Sequence, residues 1–313
     1  MEIDVFRELK AVAEDRKSGA SQIFEKTCRI LEEWSSQVLN TKLYSEKILI
    51  DVVKEVSKIH PTMAPLRTLS LLLNNMLRLS YNVEYKYKHL NLLVKTLRNY
   101  RLQCLKDIVE KFQSIIKSRV KIFTLSYSSL VFKTLTHCKE LVSEVLIVES
   151  KPGSEGLDLA KALAMEGFNV KLAYDTHMPV LIREADITLL GVDTLLPSGD
   201  FINKVGSLEA AILSKEYDVD LIVLLEPYKI AFWAKNLEDI KIEKWNSNEL
   251  KIHKNIKVIQ ELFENVPSKY VTRYIIGKHV IGSNETSRIM NVHREFLNHI
   301  ETIVNKQLSI GDK

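Results

Sequence analysis

The hydrophobic rhythm of the chain changes about a third of the way along. From residue 1 to about 118, apolar positions recur at steps of three and four, the spacing of one face of a helix. Val5, Leu9 and Val12 carry the first segment, and Ile23, Phe24, Cys28, Ile30 and Leu31 resume the pattern after a break at Gly19-Ala20-Ser21. The same spacing predicts helices over 42–59, 68–80 and 98–121. The segment HPTMAPL at 60–66 carries Pro61 and Pro65 and reads as a loop followed by a helix start. An all-helical N-terminal domain over 1–118 is expected.

After Lys121 short runs of Val, Ile and Leu alternate with amphipathic stretches of about 10–12 residues, the pattern of repeated βαβ units. Strands are predicted over 121–127, 144–150, 170–175, 187–193 and 220–227, with helices over 128–140, 156–166, 178–185 and 207–217. Runs such as VLIV and LIVLL do not alternate with polar residues, so their strands are expected to be covered on both faces, as in a parallel sheet. The fold class that follows is α/β: a helical N-terminal domain, then over 119–313 a Rossmann-like, mostly parallel, doubly wound sheet with ligands at the carboxyl ends of its strands. The tail from Ile252 follows neither rhythm cleanly until a last helix near 291–304. Its apolar and aromatic positions Tyr270, Tyr274, Ile275, Ile276, Val280 and Ile281 would suit either a subunit face or burial within the chain.

Composition narrows the functional classes. With 46% hydrophobic and 27% charged residues, the 313-residue chain can bury a sizeable core. A formal charge of +4 is too small to mark a dedicated nucleic-acid binder. No apolar run approaches the roughly 18–20 residues of a membrane span. The opening MEIDVFRELK is charged from its second residue and reads as no secretory signal. Cys28, Cys104 and Cys138 form no CxxC pair, which suits a reducing cytoplasm, and no HExxH or zinc-type cluster occurs, so neither a metal nor a cofactor is expected. There is no GxGxxG and no GxxxxGK[ST]; KPGSEG at 151–156 has the location of a phosphate loop but the spacing of neither fingerprint.

The predicted strand ends are polar: Ser126-Tyr127-Ser128, Glu149-Ser150-Lys151, Asp175 and Asp193 would all lie along one edge of the sheet. The run Asn203-Lys204-Val205-Gly206-Ser207 is expected to open a helix whose N–H groups could hold an anion. Lys151 and Lys204 would add charge for a phosphate. Asp193 could work as an acid/base or accept a sugar hydroxyl, or simply cap a turn. Taken alone an NKVGS turn is an ordinary helix start; the convergence on one edge argues for a binding cleft.

The order of motifs resembles one family. KIFTLSYSSLVFKTL, IVESKPGSEGLDLAKAL, TLLGVDTLLPSGDFINKVGSLEAAILSKE, LLEPYKI and ELFENVPSKYVT are similar to the alpha, beta and delta regulatory subunits of translation initiation factor 2B, in an archaeal-type form. Ribose-1,5-bisphosphate isomerase and methylthioribose-1-phosphate isomerase share that superfamily. The likeness covers roughly Asp15 to Thr272, with SGAS and HPTMAPL matching the helical half, and GVDxxLxxGxxxNKVGS is its most specific part. The family isomerases open a cyclic aldose 1-phosphate and convert it to the ketose with a Cys/Asp pair. The resemblance puts their Asp at Asp193 and their Asn-Lys pair at Asn203 and Lys204. It further implies ligand contacts at Gly19, Ala20, His60, Lys151, Gly206 and Lys229.

The departures point one way. The isomerase cysteine corresponds to Ser126, whose hydroxyl is far less acidic than a thiol. Their RGAS reads Ser18-Gly19-Ala20-Ser21, the arginine of their RPT reads His60, and the arginine after the second strand reads Lys151, which loses the bidentate fork. Cys138 lies about 18 Å of helix from Ser126, and Cys28 and Cys104 sit in amphipathic helices, so all three read as core thiols. The resemblance with these changes implies a non-catalytic regulatory or ligand-sensing protein. It would bind a phosphorylated sugar or nucleotide, an initiation factor 2 component, or both, and assemble as a homodimer or larger oligomer. A sugar-phosphate aldose–ketose isomerase is the alternative.

Overall fold

The computed structural model describes residues 4–15, 18–60, 63–240, 255–256, 259 and 261–310. Five helices come first: α1 (Val5–Glu14), α2 (Ala20–Thr41), α3 (Glu46–Val56), α4 (Ala64–Arg78) and α5 (Val83–Ile115). There follow β1 (Val120–Thr124), α6 (Ser129–His137), β2 (Val142–Val148), α7 (Glu155–Met165), β3 (Val170–Ala173), α8 (Met178–Glu184) and β4 (Ile187–Gly191). Next come β5 (Thr194–Leu195), β6 (Phe201–Lys204), α9 (Ser207–Glu216) and β7 (Asp220–Leu225). The chain closes with β8 (Phe263–Val266), β9 (Arg273–Ile276), β10 (His279–Gly282) and α10 (Ile289–Ile310).

Capping explains several boundaries. The helix expected from residue 42 begins at Glu46 because the Ser45 side chain accepts from the Ile48 N–H, 3.3 Å away. Asn82 caps α5 through the Tyr85 N–H at 2.8 Å. That helix starts fifteen residues before the expected 98 and runs 33 residues, about 50 Å. Pro61 and Thr62, expected in a loop, lie outside the described residues, as do Val258 and Gln260 of the tail. Pro65 sits in the first turn of α4, where its missing N–H is no loss.

The sheet has seven strands in the order β10-β9-β7-β4-β1-β2-β3, all parallel except β10, which pairs antiparallel with β9. Adjacent residues face opposite sides. Phe123, Leu146 and Leu190 pack against α8 and α9, while Ile122, Ile147 and Leu189 pack with Ile108 and Phe112 of α5 and with α6 and α7. Both faces are therefore covered, which is why these strands read as unbroken apolar runs. Tyr274, Ile275, Ile276 and Ile281 are fully buried within the chain, so the apolar tail fills this sheet's own core.

A second, three-stranded antiparallel sheet, β5-β6-β8, stands at the strand ends. A third core joins α1–α5 and includes Phe296, Ile300, Val304 and Leu308 of α10. The long α5 ties this core to the main sheet, with Tyr87 to Leu97 in the one and Ile108 and Phe112 in the other. No helix among the described residues is long and apolar enough to cross a membrane.

Candidate functional site

The helical layer meets the carboxyl edge of the sheet across a cleft of about 330 Å³. Three strand ends supply its floor: Leu125 to Ser129 after β1, Gly191 to Asp193 after β4, and Lys229 beyond β7. Ser18 to Gln22 at the start of α2, Glu155 and Asp158 on α7, Asn203 and Lys204 on β6, and Leu262 and Phe263 complete the lining. Two helix N-termini, those of α2 and α6, thus open into one space. The described lining holds no cysteine and no histidine.

Asp193 sits where β4 ends. Its Oδ1 accepts from the Ala20 N–H at 3.4 Å, at the first turn of α2. Burial pushes its carboxyl above the ordinary aspartate value; Lys229, the Ala20 N–H and Lys204 only partly offset this. Lys229 is itself buried and lies 3.3 Å from the Glu226 carboxylate, which also has the Arg101 guanidinium at 4.0 Å. Arg101 in turn donates to Glu25 at 3.0 Å. A line of alternating charge, half-buried at Glu25 and Arg101 and buried at Glu226 and Lys229, therefore runs from the helical layer to the cleft.

Lys204 donates to Glu155 Oε1 at 2.8 Å and to the Pro152 carbonyl, with its side chain 5% exposed. Asn203 donates to Ser207 Oγ at 2.9 Å, and that hydroxyl donates to the Lys204 carbonyl at 2.6 Å. The run from Asn203 was expected to lead into a helix over 207–217, and α9 does begin at Ser207. The strand before it was not foreseen: Asn203 and Lys204 form the end of β6, paired to Glu264 and Phe263 of β8. The strand conformation turns the Lys204 side chain toward α7.

The turn after β1 is held by the turn after β2. The Ser126 N–H donates to Ser150 Oγ at 2.7 Å, and the N–H groups of Ser150 and Lys151 both donate to the Asp175 carboxylate at 2.8 Å. Asp175 is thus a brace for the β2 turn. Ser126 adopts a left-handed φ of 59°, and Ser128 caps α6 through the Val131 N–H. The close seat of α7 on β2 depends on Gly156, where an added Cβ would stand 2.0 Å from the Val148 carbonyl oxygen. Gly156→Ala is expected to destabilise the fold by about 1–3 kcal/mol, read as a lower denaturation midpoint; an unchanged midpoint would show that α7 can shift freely.

The structure brings together Gly19, Ala20, Ser126, Asp193, Asn203, Lys204 and Lys229. Three other expected contacts lie outside the lining. His60 is buried, with Nε2 facing the Val12 carbonyl at 3.3 Å, so the helical core holds its ring. Lys151 points to solvent with its side chain 60% exposed and pairs with Glu149 at 3.2 Å. Gly206 precedes α9, whose free N–H groups already have an anion: the Leu208 N–H donates to Glu264 Oε1 at 2.9 Å, and Gly206 and Ser207 bond the same carboxylate. That helix start therefore serves the chain's own glutamate. All three thiols are buried; burial pushes Cys138 up to about 11 and raises Cys28 and Cys104 as well.

Sequence reading passed over Glu155 and Asp158, the acidic wall of the cleft. Their signal was present: two carboxylates three residues apart at the start of a helix that follows a strand end, hence on one face. It passed over Glu226 and Arg101 too, which only tertiary structure pairs.

Comparison with known proteins agrees with this architecture. The chain is 29% identical over 227 residues to an eIF-2B subunit 2-like protein of Pyrococcus furiosus, covering 72% of this chain and 79% of that one. It is 30% identical over 138 residues to a ribose 1,5-bisphosphate isomerase of Methanocaldococcus jannaschii, covering 42% and 44%. A crystal structure of translation initiation factor eIF-2B from Pyrococcus horikoshii OT3 superimposes with a TM-score of 0.74 at 25% identity, over 90% of this chain and 97% of that one. The family model described as the initiation factor 2 subunit family matches residues 9–281, and the chain belongs to that family.

Proposed function

We propose that this chain is a non-catalytic, ligand-sensing member of its family, which holds a phosphorylated sugar or nucleotide in the strand-end cleft and engages an initiation factor 2 component as a homodimer or larger assembly. The observation that carries the reading is the pairing of a charged cleft with an absent thiol. Two buried ammonium groups face the space beside the starts of α2 and α6, where N–H groups other than those already bonded to Asp193 and Ser128 remain to suit an anion. Ser126 stands where the resemblance puts the isomerase cysteine. A hydroxyl needs an adjacent base to move a proton at neutral pH, and its described surroundings offer no imidazole.

The isomerase alternative has one observation in its favour. Asp193 is a cleft carboxyl raised above its ordinary value, as a group that exchanges protons would be. Phosphorus NMR separates the readings. Purified protein mixed with AMP and, separately, with ribose 1,5-bisphosphate should broaden the ligand lines without making product. A ketose bisphosphate signal that disappears in Asp193→Asn would overturn the non-catalytic reading. Sharp, unshifted lines with both ligands would remove the sensing role.

A further inference from the structure

The charges of the cleft do not add up to a site for a highly anionic ligand. Its lining carries three carboxylates, Glu155, Asp158 and Asp193, against two ammonium groups, Lys204 and Lys229. Lys204 is the more committed of the two cations. Two of its three N–H groups are taken, by Glu155 Oε1 at 2.8 Å and by the Pro152 carbonyl, and only 5% of its side chain is exposed. An ammonium held in this way offers a ligand one hydrogen bond and almost no net charge.

The arrangement is built in. Glu155 sits in the first turn of α7, where the helix dipole favours a carboxylate, and the close packing at Gly156 fixes the start of that helix against β2. The preceding loop leaves room for its carboxyl group: at Gly153, with φ of 101°, an added Cβ would lie 2.6 Å from Glu155 Oε1. Glu155 Oε2 has no hydrogen-bond partner, although it is buried. That oxygen is turned to the Gly153 loop and away from any ligand, so what the carboxylate brings to the cleft is its negative charge.

We propose that Glu155 is a specificity-determining residue of the cleft: by neutralising Lys204, it selects ligands that carry one phosphate over ligands that carry two. The inference rests on the phosphorylated-ligand reading above. The single phosphate lies on the side of the α2 and α6 N-termini, and the uncharged part of the ligand faces α7. A second phosphate on the α7 side meets Glu155 and Asp158 without a free cation to balance it.

Titration calorimetry with ribose 5-phosphate and with ribose 1,5-bisphosphate tests this in two independent ways. The wild-type protein should bind the monophosphate more tightly, and a bisphosphate preference of tenfold or more would overturn the proposal without any variant being made. Glu155→Gln keeps an acceptor for Lys204 and removes the charge. It should shift the affinity ratio toward the bisphosphate by about tenfold or more. An unchanged ratio, or an equal loss of both ligands, would reduce Glu155 to a packing role and overturn the proposal. If the wild type binds neither sugar but the variant gains the bisphosphate, the gating role of Glu155 stands and the sensing role falls. If neither protein binds either ligand, both fall.

Discussion

Lys229→Met is expected to cost the fold about 3 kcal/mol at neutral pH, because it leaves Glu226 as a buried carboxylate short of a counter-charge. Glu226 and Lys229 side chains are 3% and 4% exposed, so water cannot replace the lost partner. Burial alone would raise the Glu226 carboxyl; Lys229 and Arg101 outweigh it and hold the group below the ordinary glutamate value. The sign of the pH dependence follows. A carboxyl whose folded value is depressed contributes stability above its unfolded value, and that contribution is lost as pH falls through the folded value. The wild type should therefore lose stability on acidification below the ordinary carboxylate range, while the variant has already lost that part. Asp193 adds to the contrast, since its raised carboxyl is also attracted by Lys229. Denaturant unfolding of both proteins near pH 7 and at about pH 3 checks this, and the difference should shrink at the lower pH. A loss below about 1 kcal/mol at pH 7 would show that Arg101, at 4.0 Å, satisfies Glu226 alone.

This network also marks where reading the sequence stops. The doubly wound sheet was legible because burial on both faces removes polar residues from 145–148 of β2 and 221–225 of β7, and the helical half was legible because one face of each helix stays apolar. The small sheet was not. β6 is four residues long, follows a Pro-Ser-Gly turn, and finds its partner β8 only far along the chain, so no local period announces it. Asn203 and Lys204 consequently read as the turn leading into the helix at 207, with no strand foreseen. Motif order singled out Asp193, Lys204, Lys229 and Ser126, which line one cleft because strand ends of a parallel sheet converge by topology. It did not reveal that Lys204 is claimed by Glu155, or that Glu264 fills the start of α9. Both facts depend on which side chain reaches an ammonium or an N–H group first, and spacing along the chain carries no such information.

Phe24→Ala is expected to destabilise the protein by about 3–5 kcal/mol and, although Phe24 does not line the cleft, to weaken ligand binding there. Phe24 is fully buried on α2, and its ring stacks on Tyr228 with centroids 4.5 Å apart and planes 17° from parallel. Tyr228 belongs to the turn after β7 that carries Glu226 and Lys229. The helical layer grips the same turn twice more: Thr68 of α4 donates to the Tyr228 carbonyl at 3.0 Å, and His293 Nδ1 of α10 lies 3.2 Å from the Pro227 carbonyl. Removing the Phe24 ring opens a cavity under this turn, so Lys229 loses its fixed place as well as the core its packing. The melting temperature should fall by roughly 10 °C. Leu90→Ala supplies the comparison. Leu90 is fully buried on α5 in the same core but outside the ring stack, and its truncation should cost about 2–5 kcal/mol. If the stack positions Lys229, calorimetry below the melting range will show weaker binding in Phe24→Ala and wild-type binding in Leu90→Ala. Equal binding by both variants would mean that β7 alone sets the position of Lys229, with the helical layer contributing stability and nothing to the cleft.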